Sequence, residues 1–173
     1  MRKDNFLQRG CMDYTILSGY NPGAVGRVTE LHARYYHANW DFGLYFETKV
    51  AVELAQFMQS FNPARDGFWV ALIDKKIIGS ITIVGEESSP RSARLRWLIL
   101  DPEYQGRGLG TRLMREAMDF CRKAEFRRVY LTTFAGLNAA CHLYELAGFR
   151  LIEEQEGAHW GKTVSEQKFE LIL

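Results

Sequence analysis

The sequence predicts an α/β (α+β) fold in which helices pack against a mixed β-sheet. Its elements follow the order strand, two helices, three strands, helix, strand, helix and two strands, which gives about seven strands and four helices. Of the 173 residues, 47% are hydrophobic, so the chain can bury a substantial core. We therefore predict one domain over residues 14–173, with the polar residues 1–13 as a loose N-terminal tail.

The first third of the chain predicts one strand and two helices. Residues 14–18 have strand-like composition. Apolar residues recur at helical spacing over 25–36 and again over 44–60. The Asn62-Pro63 pair ends the second helix, because proline disfavours helical geometry in the residue before it.

The middle of the chain predicts a hairpin and a further strand. Residues 68–73 and 77–84 form the hairpin, with a turn at residues 74–76. Gly79 lies inside the second strand and indicates a bulge or a close approach of another backbone. The strand predicted over residues 93–100 leads directly into a glycine-rich stretch.

After that stretch the pattern alternates between helix and strand. Apolar residues at steps of three and four predict a helix that starts near residue 109. A strand over 129–134 and a short helix over 138–147 follow, and Gly148 is a typical residue just beyond a helix end. Short strands at 151–152 and 169–171 complete the predicted sheet.

Composition excludes several classes of function. A formal net charge of +1 gives no argument for nucleic acid or a membrane surface as a partner. No apolar run approaches the ~20 residues needed to span a bilayer, and the start lacks an apolar signal core. Three cysteines without a C-x-x-C motif predict no disulfide framework and a cytoplasmic location. The four histidines show no metal-ligand spacing, so no metal site is predicted.

The glycine-rich stretch between strand and helix is the strongest functional signal. Gly106, Gly108 and Gly110 would let backbone N–H groups converge before a helix N-terminus, which is a site for phosphate anions. A nucleotide P-loop is excluded because Thr111 and Arg112 stand where its Lys-Ser/Thr pair would. The dinucleotide fingerprint fits in neither register. A turn without a ligand remains the alternative.

Two separated motifs resemble the GNAT superfamily of N-acetyltransferases. The first is Q/R-x-x-G-x-G/A, matched by Gln105, Gly108 and Gly110; the second is the helix from Asn138 through Tyr144-Glu145 to Gly148-Phe149. The resemblance covers roughly residues 14–173 and implies a mostly antiparallel central sheet. Within the superfamily, the segment at 61–65 is similar to acetyltransferase domains found fused behind MarR-type regulators.

The resemblance assigns residues to acetyl-CoA. Amides of the glycine loop would hold the pyrophosphate, and the preceding strand would bind the pantetheine arm and the thioester oxygen. Tyr144 would protonate the leaving thiolate, although a core tyrosine is the alternative; Asn138 would bind the pantetheine or cap its helix. The assigned set is Leu98, Ile99, Leu100, Gln105, Gly106, Arg107, Gly108, Leu109, Gly110, Asn138 and Tyr144.

The base that deprotonates the amine is harder to place. Many GNAT enzymes carry a glutamate on the fourth strand, but the charged residues of that strand here are Arg94 and Arg96. Glu47, in the second helix, is the carboxylate that we predict for this role. His37 and His159 are candidates for a water relay.

The resemblance implies that the two early helices and the loop before the last strand form the acceptor side, and in this chain they carry aromatic and charged residues. Aromatic walls with a few polar groups suit a small organic amine, including one that also carries a carboxylate. The predicted substrate-binding residues are Trp40, Phe46, Glu47, Arg96 and Trp160. The alternative is that the aromatic residues only form helix core.

The sequence therefore predicts an N-acetyltransferase, an acyltransferase that moves acetyl from acetyl-CoA to the primary amine of a small molecule in a ternary complex. The alternatives are a non-catalytic acyl-CoA-binding regulatory module, a protein N-acetyltransferase and a transferase for longer acyl chains. Acetyl-CoA and a small amine are the expected partners, and a homodimer is left open.

Overall fold

One seven-stranded sheet organises the chain, as a computed structural model of residues 13–173 shows. The predicted tail, except for Asp13, lies outside the described residues. The strands are β1 (Thr15–Ser18), β2 (Gly67–Ile73), β3 (Lys76–Gly85), β4 (Ser92–Leu100), β5 (Arg128–Phe134), β6 (Arg150–Gly157) and β7 (Val164–Ile172). The α-helices are α1 (Ala24–Trp40), α2 (Leu44–Gln59), α3 (Leu109–Lys123) and α4 (Asn138–Leu146).

The sheet is mostly antiparallel, in the order β1-β2-β3-β4-β5-β7-β6. The parallel pair is β4–β5, which α3 connects as a crossover helix. Its pairing covers only Ser92–Arg94 against Arg128–Tyr130. Beyond Arg94 the two strands run on without a ladder between them, so the sheet opens into a gap at its centre.

Hydrophobic clusters cover the two faces of the sheet. One cluster packs α3 and α4 on the sheet, with Leu113 and Ala117 fully buried. The other packs α1 and α2, with Val28 and Leu54 fully buried. Since both clusters draw on β2, β3, β4 and β5, the central strands are covered on both sides and the gap is enclosed by helices.

Gly79 lies both at a bulge and at a close approach of another backbone, the two alternatives that the sequence indicated. The register between β2 and β3 shifts near this residue, because Ala71 pairs with Gly79 while Leu72 pairs with Ile77. A Cβ at Gly79 would also lie 2.7 Å from the carbonyl oxygen of Ile99. Glycine is therefore required where β4 crosses closest to β3.

Three elements are longer than the sequence predicted. Helix α1 continues to Trp40, where Asp41 ends it in a left-handed conformation. Strands β6 and β7 extend over Arg150–Gly157 and Val164–Ile172 instead of two and three residues. Most of β6 is exposed and rich in glutamate, because it is an edge strand; its polar sequence lacked the apolar alternation of a half-buried strand.

Candidate active site

Two cavities meet in the gap between β4 and β5. The loop cavity, of about 310 Å³, lies between the glycine loop, the end of β4, α1 and α4. The charged cavity, of about 100 Å³, lies between α2, β4, β5 and the loop that joins β6 to β7. Tyr36, Leu98 and Tyr144 line both cavities, so these three residues mark the junction.

The glycine loop is built to present backbone amides. Gly106 and Gly108 have φ angles of 72° and 79°, which residues with a Cβ rarely adopt. Gly108 is the N-cap of α3, whose first turn holds no acidic residue. The amide of Arg112 donates to the carbonyl oxygen of Gly108, so the amides of the preceding turn have no partner within the helix. These amides and the helix dipole favour an anion here.

Most of the predicted cofactor residues line the loop cavity: Leu98, Ile99, Leu100, Gln105, Gly106, Gly108, Gly110 and Tyr144. Arg107 is exposed on the loop, and Leu109 is buried beneath it. Asn138 is exposed at the start of α4, outside the lining of the cavity. Leu137 is the N-cap of that helix, so Asn138 is not its cap.

A bulge in β4 shapes the junction. Ser80 pairs with Ile99 and Thr82 with Arg96, so Trp97 and Leu98 together face one residue of β3. Trp97 takes a left-handed φ of 45°, which is strained for a bulky side chain. The Ser80 hydroxyl donates to the Trp97 carbonyl oxygen at 2.8 Å and stabilises this conformation. The bulge places Leu98 where both cavities meet.

Tyr144 lies at the junction in a protonated state. Its ring packs on Phe149 and Phe169 and is buried. Burial raises the pKa of the Tyr144 phenol, because a phenolate would lose its hydration. The side chain can therefore act as a proton donor but not as a resting base.

Charged groups define the second cavity. Lys49, Arg94 and Arg96 contribute three cations, and Glu53 contributes a carboxylate. Lys49 donates to Glu53 at 2.6 Å, and Arg96 donates to the other carboxylate oxygen. Burial alone would raise the pKa of Glu53, but these two hydrogen bonds and the two charges lower it. Glu53 is thus an anion held between two cations.

Two histidines also line the charged cavity. The His32 Nδ1 lies 2.8 Å from the Val28 carbonyl oxygen, so this nitrogen carries the proton and Nε2 keeps a lone pair. Burial lowers the pKa of His32 to about 4 despite that hydrogen bond, and Arg96 lowers it further. Burial likewise lowers the pKa of His159, with a smaller contribution from Lys49. Both effects favour neutral imidazoles.

The structure brings only part of the predicted acceptor set together. Phe46, Arg96 and Trp160 line the charged cavity. Trp40 lies behind the cavity wall, where its ring packs edge-to-face on Phe134 at 5.4 Å. His37, one candidate for a water relay, is largely exposed at the end of α1 and outside both linings.

Glu47 does not reach either cavity. It is exposed in the first turn of α2, where a carboxylate suits the helix dipole, and it lines a groove between α1 and α2. Helical spacing indicates a different set of inward-facing residues on α2. Phe46, Lys49, Val50 and Glu53 recur at steps of three and four on the inner face of α2, whereas Glu47 falls off that stripe.

Comparison with known families identifies the chain. The model of the acetyltransferase (GNAT) family matches residues 26–149. The chain belongs to this family. The GNAT match contains the glycine loop, the bulged strand and the whole helix that carries Tyr144, and of the residues that line the two cavities only His159 and Trp160 lie beyond it.

Curated relatives are also acetyltransferases. Human N-acetylaspartate synthetase is 30% identical over 121 residues, which are 69% of this chain and 40% of that protein. The zebrafish (Danio rerio) N-acetylaspartate synthetase is 28% identical over 125 residues, which are 72% and 44% of the two chains. This GNAT chain therefore spans less than half the length of these synthetases. An uncharacterized N-acetyltransferase of Escherichia coli is 29% identical over 136 residues, 77% and 78% of the two chains.

Solved GNAT structures share the fold. An acetyltransferase from Staphylococcus aureus has a TM-score of 0.76 at 17% identity, covering 93% of this chain and 99% of that one. A Salmonella typhimurium protein solved with its cofactor acetyl-CoA has a TM-score of 0.75 at 15% identity, covering 93% and 94%. At such identities the likeness concerns the fold.

Within residues 13–173, no helix is both long and apolar enough to cross a bilayer. Within the same range no three His, Cys, Asp or Glu side chains gather as a metal site.

Proposed function

We propose that this GNAT protein transfers the acetyl group of acetyl-CoA to the primary amine of a small molecule by direct attack in a ternary complex. The observation that carries the proposal is the junction of the two cavities. An anion-binding loop opens into one cavity and paired charges line the other, and the two share Leu98 and Tyr144. Both substrates can therefore approach one point from opposite sides.

The loop cavity fits acetyl-CoA by its chemistry. The glycine loop offers amides and open space around the Cα atoms of Gly106 and Gly108, as a pyrophosphate requires. The rest of the lining is mainly apolar, with contributions from Leu100, Leu137 and Leu143, and suits an extended pantetheine arm. The carbonyl oxygen of Leu100 also accepts a hydrogen bond from the Gln105 side chain, which holds the loop against β4.

The junction supplies the groups that acyl transfer needs. We assign the Leu98 amide, at the β4 bulge, as the donor to the thioester oxygen, where negative charge develops. Tyr144, protonated and buried, would donate its proton to the departing thiolate. A thiolate with a pKa of roughly 8.5 leaves readily, so this proton assists the reaction without being essential to it.

The amine must lose a proton before it attacks. An alkyl ammonium near pKa ~10.4 is neutral in about one molecule in 10³ at pH 7, so an acceptor for the proton accelerates the reaction. Glu53 provides a carboxylate that can hold the ammonium in the charged cavity. The Nε2 lone pair of His32 and the neutral ring of His159 are the other acceptors there. We propose Glu53, in place of Glu47, as the group that accepts the proton of the amine.

The size of the charged cavity supports a small acceptor over a protein. Its volume of about 100 Å³ holds a few heavy atoms. Two aromatic rings, Trp160 and Phe134, pack 5.5 Å apart in its wall. The ion pair of Lys162 with Asp41, at 2.6 Å, ties the β6–β7 loop to the end of α1. A protein acceptor would need a wider entrance, and the named relatives include enzymes of N-acetylaspartate synthesis.

Release of CoA thiol in the presence of an amine panel tests this proposal. We expect wild-type protein to release CoA from acetyl-CoA with free amino acids or small amines and to leave peptide N-termini unmodified. Release only with peptides would favour a protein N-acetyltransferase. Acetyl-CoA binding without release for any amine would favour a non-catalytic acyl-CoA-binding module.

We also propose a single domain over residues 14–173, a cytoplasmic location and a homodimer, and a likeness of residues 61–65 to MarR-linked acetyltransferase domains. None of the relatives named above carries a MarR regulator in its name.

A further inference from the structure

We propose that the acceptor of this enzyme carries a carboxylate and that Arg94 binds it. The inference rests on the proposed acetyl transfer and adds the chemical class of the acceptor. The sequence directed attention to Arg96, but the structure favours its neighbour two residues earlier on β4.

Arg94 and Arg96 differ in what they already bind. Arg96 donates to the Glu53 carboxylate, and its guanidinium stacks on the Trp97 ring at 4.1 Å. Arg94 donates one hydrogen bond, to the Thr132 hydroxyl at 2.6 Å, and its guanidinium lies 6.0 Å from the centre of the Tyr130 ring. Among the described residues, no carboxylate lies within 4.0 Å of the Arg94 guanidinium. The cation that is available to a ligand is therefore Arg94.

Arg94 also has a buried donor without a partner. Its Nε atom is excluded from water and has no hydrogen-bond partner in the structure. A buried N–H of a cation that lacks an acceptor is costly, so such groups usually mark a ligand or a water position. Arg94 lines the charged cavity, where a carboxylate could accept two parallel hydrogen bonds from its guanidinium.

The local charge balance favours an anion at the same place. Burial lowers the pKa of Arg94, and repulsion from Arg96 lowers it further. The cavity holds three cations, Lys49, Arg94 and Arg96, but only Glu53 as a carboxylate among its described lining residues. Glu86 accepts a hydrogen bond from the Tyr130 hydroxyl and acts on Arg94 only at longer range. A carboxylate beside Arg94 would offset the desolvation and the repulsion together.

Thr132 adds a second donor for that anion. Its Oγ1 atom accepts the hydrogen bond from Arg94, which leaves its own proton to donate. Thr132 lines the cavity on β5, two residues beyond Tyr130, which pairs with Arg94 on β4. With Glu53 for the ammonium and Arg94 with Thr132 for the carboxylate, the cavity complements a small zwitterionic amine such as an amino acid.

Matched acceptor pairs test the inference. The pairs are L-aspartate with L-asparagine, L-glutamate with L-glutamine, and β-alanine with propylamine. For at least one pair we expect the wild-type enzyme to prefer the carboxylate member by about 30-fold in kcat/KM, mainly through KM. In Arg94→Gln this preference should fall below about threefold. The absence of a preference in all three pairs, or its persistence in Arg94→Gln, would overturn the inference.

Control variants distinguish the loss of carboxylate binding at Arg94 from misfolding and from failure of the proposed acetyl transfer. Arg94→Lys keeps the charge and should retain part of the preference, and Arg122→Gln on the exposed face of α3 should retain all of it. Acetyl-CoA affinity measured by calorimetry reports folding of each variant. Binding of L-aspartate or β-alanine in the presence of CoA is measured in parallel. Carboxylate-selective binding without turnover would contradict the proposed acetyl transfer but support carboxylate binding by Arg94. Turnover without carboxylate selectivity would support acetyl transfer but contradict carboxylate binding by Arg94.

Discussion

The loop cavity and the charged cavity meet at the same three residues but are made in different ways. The loop cavity depends on backbone groups of one continuous stretch, in which the positive φ angles of Gly106 and Gly108 aim amides toward a ligand. The charged cavity depends on side chains from α1, α2, β4, β5 and the β6–β7 loop. One half of the site is therefore local in sequence, and the other is assembled by the fold.

This difference assigns different tasks to the two halves. A backbone site binds the same pyrophosphate whatever the surrounding side chains are, which suits a co-substrate shared by a family. A side-chain site changes with single substitutions, which suits the recognition of one acceptor. The predictions below separate the two halves by altering each alone.

The largest effect should come from charge in the glycine loop. Gly108→Glu places an anion where the pyrophosphate is expected, and we predict a loss of acetyl-CoA affinity of more than about 100-fold. Calorimetry measures the affinity, and thermal melting reports whether the fold survives. Unchanged affinity would exclude the anion-binding role of the loop.

Gly108→Ala is the matched control for that variant. No atom lies within 4 Å of a Cβ placed at Gly108, so both substitutions carry the same backbone strain at positive φ, about 1–2 kcal/mol. We expect the alanine variant to match the glutamate variant in melting temperature but to keep acetyl-CoA affinity within about tenfold. Equal losses of affinity would attribute the effect to strain.

The second effect is a pH dependence of the free energy of unfolding, which arises from His32 in the charged cavity. Burial depresses the pKa of His32 to about 4, so the unfolded state binds a proton more readily between that value and about 6.5. The stabilisation is complete above about pH 6.5 and is lost as the pH falls through the folded value, a change of about 3 kcal/mol in the free energy of unfolding. Denaturant titrations at several pH values measure it.

His32→Gln is the control for that pH dependence. Glutamine can still donate to the Val28 carbonyl oxygen but does not titrate. We expect the slope of unfolding free energy against pH to flatten in this range. An unchanged slope would mean that other groups cause the acid sensitivity.

A smaller effect should follow from Tyr144→Phe, at the junction of the two cavities. The change removes only the hydroxyl, so packing on Phe149 and Phe169 is kept. We predict a fall in kcat of about ten- to a hundredfold with little change in acetyl-CoA affinity. Tyr45→Phe, at an exposed position, is the control. Unaffected turnover would make Tyr144 a core residue.

The smallest effect distinguishes two glutamates of α2. Glu53→Gln should lower kcat/KM for the amine by about tenfold, because it removes the one carboxylate among the described lining residues of the charged cavity. Glu47→Gln should change kcat/KM by less than about twofold, since Glu47 lies in the first turn outside both cavities. Acceptor titrations at saturating acetyl-CoA give both values. A larger loss in Glu47→Gln would contradict the geometry.

The sequence predicted the fold better than the site. The sequence located all four helices and strands β1 to β5; the helices and strands β2 to β5 each bury an apolar face. It shortened β6 because an exposed edge strand needs no apolar alternation. It also shortened β7, which lies between β5 and β6 and is mostly half-buried, with Phe169 as its one buried residue. The glycine loop was found as a motif because its geometry depends on local residues, of which Gly106 and Gly108 are examples.

The acceptor side could not be predicted in the same way. Arg94 and Arg96 lie two residues apart on β4, so the sequence alone does not say which of them would bind an acceptor carboxylate. Only the packing shows that Glu53 already pairs with Arg96. The Trp97 bulge depends on strand register, which a single sequence does not reveal. Glu53, in contrast, could have been found from its helical spacing to Phe46.

A crystal structure of the protein with bound acetyl-CoA tests the central claim most directly. We predict the pyrophosphate on the amides of the glycine loop, the thioester oxygen about 3 Å from the Leu98 amide nitrogen, and the sulfur facing the Tyr144 hydroxyl. The acetyl methyl group would then point toward the charged cavity. A pyrophosphate bound away from Gly106–Gly110, or an acetyl group outside the junction of the two cavities, would contradict this account.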